Sequence, residues 1–148
     1  MERSKRWLQG TAMTVASTRK RSVSLCFRGF DIAPFEVESM VGLGASLILE
    51  KGKPVKQGVK TLATRSAICF KVEVESDFRL AEMIPKLIDH LGGVEHLLMV
   101  RDAVKPESFE VNFVLPVKYS KAQEGGSIET ETIAVLARLG ASVSFAFL

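Results

Sequence analysis

Apolar and polar residues alternate in four separate stretches of the chain, which is the pattern of a strand that buries one face. The stretches are residues 22–28, 66–75, 109–115 and 143–147. A shorter apolar run at residues 43–49 predicts an additional edge strand. Strands of a parallel sheet are usually apolar on both faces, so the alternation favours a mostly antiparallel sheet with one face open to water.

Apolar residues elsewhere recur every three or four positions, the spacing of a helix that buries one side. The predicted helices cover about residues 34–41, 77–91, 94–104 and 127–139. Pro34 suits the first position of the first helix, in the turn that also holds Asp31. Asp77 and Ser127 are predicted N-caps of later helices, and Pro85 lies off the apolar stripe of its helix. Glycines are predicted to end three helices, at Gly42, Gly92 and Gly140.

The order of these elements is strand, helix, short strand, strand, helix pair, strand, helix, strand. It predicts an α+β fold in which a mostly antiparallel sheet has its helices packed on one face. The simplest arrangement is a ferredoxin-like β-α-β-β-α-β core with an added C-terminal helix and strand. We assign residues 22–148 to this single domain and residues 1–21 to a basic N-terminal tail.

The basic character of the chain is concentrated in the tail. The whole chain has a net charge of +3 and a pI near 9.0, and residues 1–21 hold six basic residues against one acidic residue. With +5 in the tail, residues 22–148 carry −2, so the domain itself is mildly acidic. We therefore expect no nucleic-acid partner except through the tail, and we interpret the tail as a solvated extension, with polyanion binding as the alternative.

No residue pattern in the chain points to catalysis, to a cofactor or to a metal. The two histidines, His90 and His96, are six residues apart across two glycines, so helical spacing does not place them on one face. The segment Gly42-Leu43-Gly44 follows a helix and lacks the Gly-Lys-Ser/Thr of a phosphate-binding loop. We therefore predict a protein without catalytic, cofactor-binding or metal-binding residues.

Cys26 and Cys69 are the only cysteines and fall on the polar side of their predicted strands. If the two strands are neighbours, the thiols approach each other across the open face. Two cysteines without a secretory segment favour a reducing cytosol, so we expect free thiols and a cytoplasmic location. The apolar runs are shorter than the roughly 20 residues of a membrane-spanning helix, and no membrane partner is expected.

The open face of the sheet is the predicted partner-binding surface, together with a lysine-rich loop that follows the short strand. The aromatic residues of the strands fall mainly on the buried side, unlike the stacking aromatics of RNA-binding sheets. The candidate partner-binding residues are Arg28, Lys71, Glu73, Glu75 and Asn112 on the face and Lys51 and Lys53 in the loop. Their mixed charge suits selective contact with a protein, and a merely solvated face is the alternative.

We therefore predict a non-enzymatic protein-interaction module, and neutralising a partner, as small bacterial immunity proteins do, is one such role. The alternative from the sequence is a small-ligand-binding or catalytic domain with a cleft between the sheet edge and the Lys51–Arg65 loop. A buried carboxylate with the lysines converging on it would favour this alternative.

Parts of the sequence resemble a bacterial family of unknown function. The similar segments are GFDIAPFEV and MVGL near residues 29–43, Lys51-Gly52, and SIETETIAVLARLGASVSFAF at residues 127–147. Over residues 22–148 the chain resembles the bacterial domain-of-unknown-function family numbered four-two-seven-nine. It differs from that pattern by Ala45-Ser46 in place of Pro-Thr, and by the lack of a tryptophan near Ile68. The resemblance implies an α+β fold and no established activity.

Overall fold

The computed structural model describes residues 20–116 and 126–148. In chain order its elements are β1 (Arg21–Arg28), α1 (Pro34–Val41), β2 (Leu47–Leu49), β3 (Ala67–Val74), α2 (Leu80–His90), α3 (Val94–Val104), β4 (Ser108–Leu115), α4 (Thr130–Leu139) and β5 (Ser142–Phe147). The predicted tail, apart from Lys20 and Arg21, lies outside the described residues. Most of the chain between β4 and α4, residues 117–125, lies outside them as well.

The five described strands form one mixed sheet in the order β2-β3-β1-β4-β5. β1 is antiparallel to both of its neighbours, β3 and β4, and β2 is antiparallel to β3. Only the pair β4 and β5 is parallel. The prediction of an α+β fold with a mostly antiparallel sheet is therefore confirmed.

The core lies between the sheet and the helices. Val23, Leu25 and Phe27 alternate along β1 and are fully buried on the helix side. The ring of Phe27 stacks on Phe109 of β4 with their centroids 4.8 Å apart. Residues of all four described helices join this cluster, namely Val37, Val41, Met83, Ile84, Leu87, Ile88, Leu97, Val100, Val104, Leu136 and Leu139. The alternation read from the sequence thus identifies the buried side of the central strand.

Pro34 is the first residue of α1, as predicted, but the predicted N-caps of α2 and α4 are wrong. The N-caps of α1, α2 and α4 are Ala33, Arg79 and Glu129, and none of these side chains makes a capping hydrogen bond. Asp77 and Ser127 each lie two residues before the observed N-cap, so neither caps its helix. Because a capping oxygen must reach the N–H groups of the first turn, a shift of two residues removes the interaction.

The helix ends agree better with the sequence. Gly42 and Gly140 have φ angles of 88° and 69°, in the left-handed region that favours glycine, and each ends its helix. The predicted short helix at residues 94–104 is confirmed as α3. Pro85 lies inside α2 on its exposed side, as predicted.

The placement of the aromatic residues needs one correction. Phe145 pairs with Phe113 in the register of β4 and β5, so its ring is on the helix side of the sheet. Phe113 is fully buried, yet Phe145 and Phe147 keep 44% and 64% of their surface exposed. β5 is the outermost strand, so a side chain can point to the helix side without being covered there.

Exchanging phenylalanine for leucine at two positions on this side tests the difference between core and edge. Phe113→Leu is expected to lower the free energy of unfolding by about 1–2 kcal/mol, because it leaves a void in a close-packed interior. Phe147→Leu is expected to change it by less than about 0.5 kcal/mol, because the ring is mostly exposed. Urea denaturation of both variants at low protein concentration measures the difference. Equal losses would contradict the assignment of Phe147 to an uncovered edge.

Candidate interaction face

The side of the sheet opposite the helices is called the polar face here. Antiparallel pairing aligns its side chains in rows across the strands. One row contains Lys71, Ser24, Asn112 and Ser144; the next contains Leu47, Cys69, Cys26, Glu110 and Ser142; the third contains Leu49, Ala67, Arg28 and Ser108. Arg28, Lys71 and Asn112, three of the predicted partner-binding residues, therefore lie on one surface, as does Glu73, two residues after Lys71 in β3.

Two ion pairs balance the charges of the polar face. The Nε atom of Arg28 lies 3.0 Å from Glu110 Oε2 and donates a hydrogen bond to it. Lys71 Nζ lies 3.8 Å from Glu73 Oε1 on the same strand. Such partly exposed pairs add little to stability, at most about 1 kcal/mol each. Their effect on the face is to alternate positive and negative charge without an excess of either sign.

Asn112 connects three strands of the polar face. Its amide nitrogen donates to Cys26 Sγ at 3.3 Å, and its carbonyl oxygen accepts a hydrogen bond from the Ser144 hydroxyl. The amide is therefore held by β1 on one side and by β5 on the other. A partner would meet Asn112 in one fixed orientation.

Cys26 and Cys69 form a disulfide, so the prediction of free thiols is wrong. The two residues are direct partners in the register of β1 and β3, and their Cα atoms are 4.1 Å apart. Both are buried, although they point toward the polar face. The sequence places both residues on the polar side of their strands, but only the register makes them opposite one another. A disulfide is typical of oxidising compartments, which argues against the predicted cytosolic location.

The Lys51–Arg65 loop lies at the end of the sheet where β1 finishes. The Lys51 N–H group donates to Ser66 Oγ at 3.1 Å, which fixes the start of the loop beside β3. Lys53 Nζ lies 3.2 Å from Glu50 Oε2, and Arg65 Nη1 lies 2.8 Å from Glu107 Oε2. The remaining cations of the loop are exposed and have no ion pair with a described residue, namely Lys51, Lys56 and Lys60.

The predicted partner-binding residues do not converge on one point. Lys51 and Lys53 lie near the Arg28 end of the sheet, while Glu75 follows the opposite end of β3 and lies 3.9 Å from Lys20. The eight residue steps from Ala67 to Glu75 correspond to roughly 26 Å of extended chain. The candidates therefore mark an extended surface.

The described residues contain no group of three or more histidine, cysteine or acidic side chains placed to hold a metal ion. His96 instead has its Nε2 atom 3.2 Å from the Val41 carbonyl oxygen, where it links α3 to α1.

Sequence reasoning missed Glu107 as the partner of Arg65, because the two residues are distant in the chain.

Within residues 20–116 and 126–148, every helix is too short or too polar to cross a membrane.

No family model, no curated protein and no solved structure matches the chain. The resemblance stated from the sequence therefore stays a prediction.

Removing the disulfide tests its contribution to stability. The bridge joins residues separated by 43 positions, and closing such a loop in the unfolded chain is worth about 2–4 kcal/mol. The double variant Cys26→Ala with Cys69→Ala is expected to lose that amount in guanidinium unfolding. Reduction of the wild-type protein is expected to give a similar loss, and the double variant serves as the control because a reductant has nothing to cleave in it. A wild-type stability that does not respond to complete reduction would contradict the prediction.

Proposed function

We propose that the protein is a non-enzymatic protein-interaction module that binds its partner through the polar face and the Lys51–Arg65 loop. The observation that carries the proposal is the arrangement of the candidate residues over an extended surface of the sheet. Protein interfaces are broad and contain many polar contacts, whereas a small molecule is usually enclosed in a concave site. An extended face of alternating charge fits the first kind of partner.

The charges suggest the chemistry of that partner. On the sheet, the charges of Arg28 and Lys71 are already neutralised by Glu110 and Glu73. These pairs therefore add little net attraction for a partner, but their positions determine which arrangement of charges on a partner fits the face. The loop carries the surplus positive charge, at Lys51, Lys56 and Lys60. The expected partner is a protein whose contact surface is mixed over the sheet and acidic opposite the loop.

The alternative of a small-ligand or catalytic site at the sheet edge has less support. It requires lysines that converge on a buried carboxylate, but the described lysines of the loop are exposed, and Lys53 pairs with an exposed acid at its own end of the loop. Every buried side-chain nitrogen or oxygen among the described residues has a hydrogen-bond partner. Nucleic-acid binding through the tail concerns residues outside the described ranges.

A finer fold assignment belongs to the same proposal. The first four strands lie in the order β2-β3-β1-β4 with antiparallel neighbours, and helices follow β1 and β3. This order supports a ferredoxin-like β-α-β-β-α-β core to which α4 and β5 are added. Membership of the family of unknown function named above is likewise a proposal, and it would add no activity to the one proposed here.

A charge swap tests the polar face without changing net charge. Lys71→Glu combined with Glu73→Lys preserves an ion pair on β3 but inverts the charge pattern that a partner meets. The matched control is Arg79→Glu with Glu82→Arg, which inverts an exposed pair at the start of α2, 3.8 Å apart in the wild type. Immobilised wild-type protein and both variants are exposed to an extract of the source organism, and retained proteins are identified by mass spectrometry.

The expected result is a protein that the wild type and the control retain and the Lys71/Glu73 variant loses by about tenfold or more. Circular dichroism and urea unfolding establish that both variants are folded. Retention that is equal for the two swaps would place the binding surface elsewhere.

A further inference from the structure

Among the residues that the structure describes, nothing gives the outer edge of β5 the usual protection of an edge strand. β5 lies at the end of the sheet, with β4 on one side. Its six residues, Ser142–Phe147, include no charged residue and no proline. Natural sheets usually shorten their edges or place lysine, proline or a bulge there to prevent pairing with another chain. The opposite edge follows this rule, because β2 has three residues and is followed directly by Glu50 and Lys51.

The main-chain groups of β5 have a defined direction. The Leu148 N–H group donates to the Leu115 carbonyl oxygen at 3.1 Å, so Leu148 points its main-chain groups toward β4. Successive residues of a strand point these groups to opposite sides. The N–H and C=O groups of Val143, Phe145 and Phe147 therefore point to the open edge.

Apolar side chains accompany this edge on the helix side. The rings of Phe113 and Phe145 are nearly parallel, at 6° with centroids 5.0 Å apart, and Phe147 continues the stack at 8° and 6.0 Å. Ile133 of α4 is 55% exposed. Arg138 of α4 pairs with Glu95 of α3 at 2.7 Å, and Ile133 is about 140° around the helix from Arg138. Ile133 therefore lies on the flank of α4 away from α3.

We propose that β5 pairs antiparallel with β5 of a second copy of the chain, about a two-fold axis at Phe145. In this register Phe145 faces Phe145 of the second copy, and Val143 faces Phe147. The residues with free main-chain groups then face each other as hydrogen-bonded pairs, which gives roughly six new main-chain hydrogen bonds. The ring stack of each copy meets the other at the axis, and the two sheets become one sheet of ten strands.

The charge pattern favours a second copy over an unlike partner. β5 has no charge with which to select an oppositely charged protein, and self-pairing brings no like charges together along the strand. α4 has two charged residues: Glu131, which is about 160° around the helix from Ile133, and Arg138, which pairs with Glu95 of α3. The edge of β5 is also complementary to the same edge of a second copy, because Val143, Phe145 and Phe147 supply the outward-pointing N–H and C=O groups on both sides of the axis.

The available area indicates a reversible dimer. The exposed parts of Ile133, Phe145, Phe147 and Leu148 offer roughly 400 Å² of apolar surface per copy. An interface of about 800 Å² in total is smaller than that of a stable complex, even with the main-chain hydrogen bonds added. The dissociation constant is therefore expected in the micromolar range or above, within reach of measurements at high protein concentration.

Amide hydrogen exchange of the full chain tests both the dimer and its register. Exchange is followed by NMR from about 10 µM to about 1 mM protein, with sedimentation velocity on the same samples. The Val143, Phe145 and Phe147 amides are expected to become protected as the dimer forms. The Ala146 and Leu148 amides, which point to β4, are expected to be protected at every concentration and serve as internal controls.

A lysine substituted on the edge of β5 tests whether this edge forms the dimer interface. Phe147→Lys places a charge on the uncovered strand and is expected to weaken the dimer by about tenfold or more. Met99→Lys is the matched control, because Met99 of α3 is 61% exposed, close to the 64% of Phe147. This control is expected to dimerise like the wild type.

Three results would overturn the proposal. The first is a monomer throughout the concentration range, and the second is a dimer in which the Val143, Phe145 and Phe147 amides exchange as they do in the monomer. The third is open-ended assembly, which indicates pairing of β5 with β2 of the next copy. The exchange measurement uses the wild-type chain, so the test holds even where Phe147→Lys fails to fold.

Discussion

β1 makes main-chain pairs with both β3 and β4, and this double pairing holds the described sheet together. Its register brings residues at least 39 positions away (Arg28 and Ala67) onto each side of the strand. At its end, Gly29 donates its N–H to the Ser66 carbonyl oxygen at 2.8 Å and accepts from the Glu107 N–H at 2.9 Å. A φ angle of 72° lets the chain turn out of the sheet there while both neighbours remain bonded. The core, the disulfide and the polar face all depend on this pairing.

The register of β1 also determines the chemistry of the polar face. It places Arg28 diagonally across from Glu110, Cys26 opposite Cys69, and Asn112 where it reaches both Cys26 and Ser144. Main-chain pairs and a covalent bridge therefore fix these polar groups before any partner arrives. A rigid face loses little conformational entropy on binding, which favours selective recognition even where individual ion pairs are weak.

The two edges of the sheet are chemically different. Beside β2 the chain continues into a loop rich in lysine, which discourages strand addition and holds the surplus positive charge of the proposed partner-binding surface. β5 is longer, uncharged and flanked by exposed rings. One edge thus suits an acidic protein and the other a second copy of the chain, so the two proposed contacts leave each other free. A two-fold pair would present two polar faces on one continuous sheet.

Local patterns in the sequence determined the elements and their faces. The alternation of Ser24, Lys71 and Asn112 with apolar neighbours was sufficient to place them on the wet side, because the two-residue period of a strand is a local property. Gly42 and Gly140 were likewise recognisable as helix ends, since the left-handed conformation at a single position favours glycine.

The tertiary structure decided what depends on register and on coverage. Cys26 and Cys69 are bonded because β1 and β3, which are separated in the chain by α1, β2 and the Lys51–Arg65 loop, align them, and no local pattern encodes that alignment. Phe145 and Phe147 have the same apolar character as Phe113, yet they are exposed because β5 is the last strand of the sheet. Sequence period tells which way a side chain points, whereas burial depends on what the rest of the fold places above it.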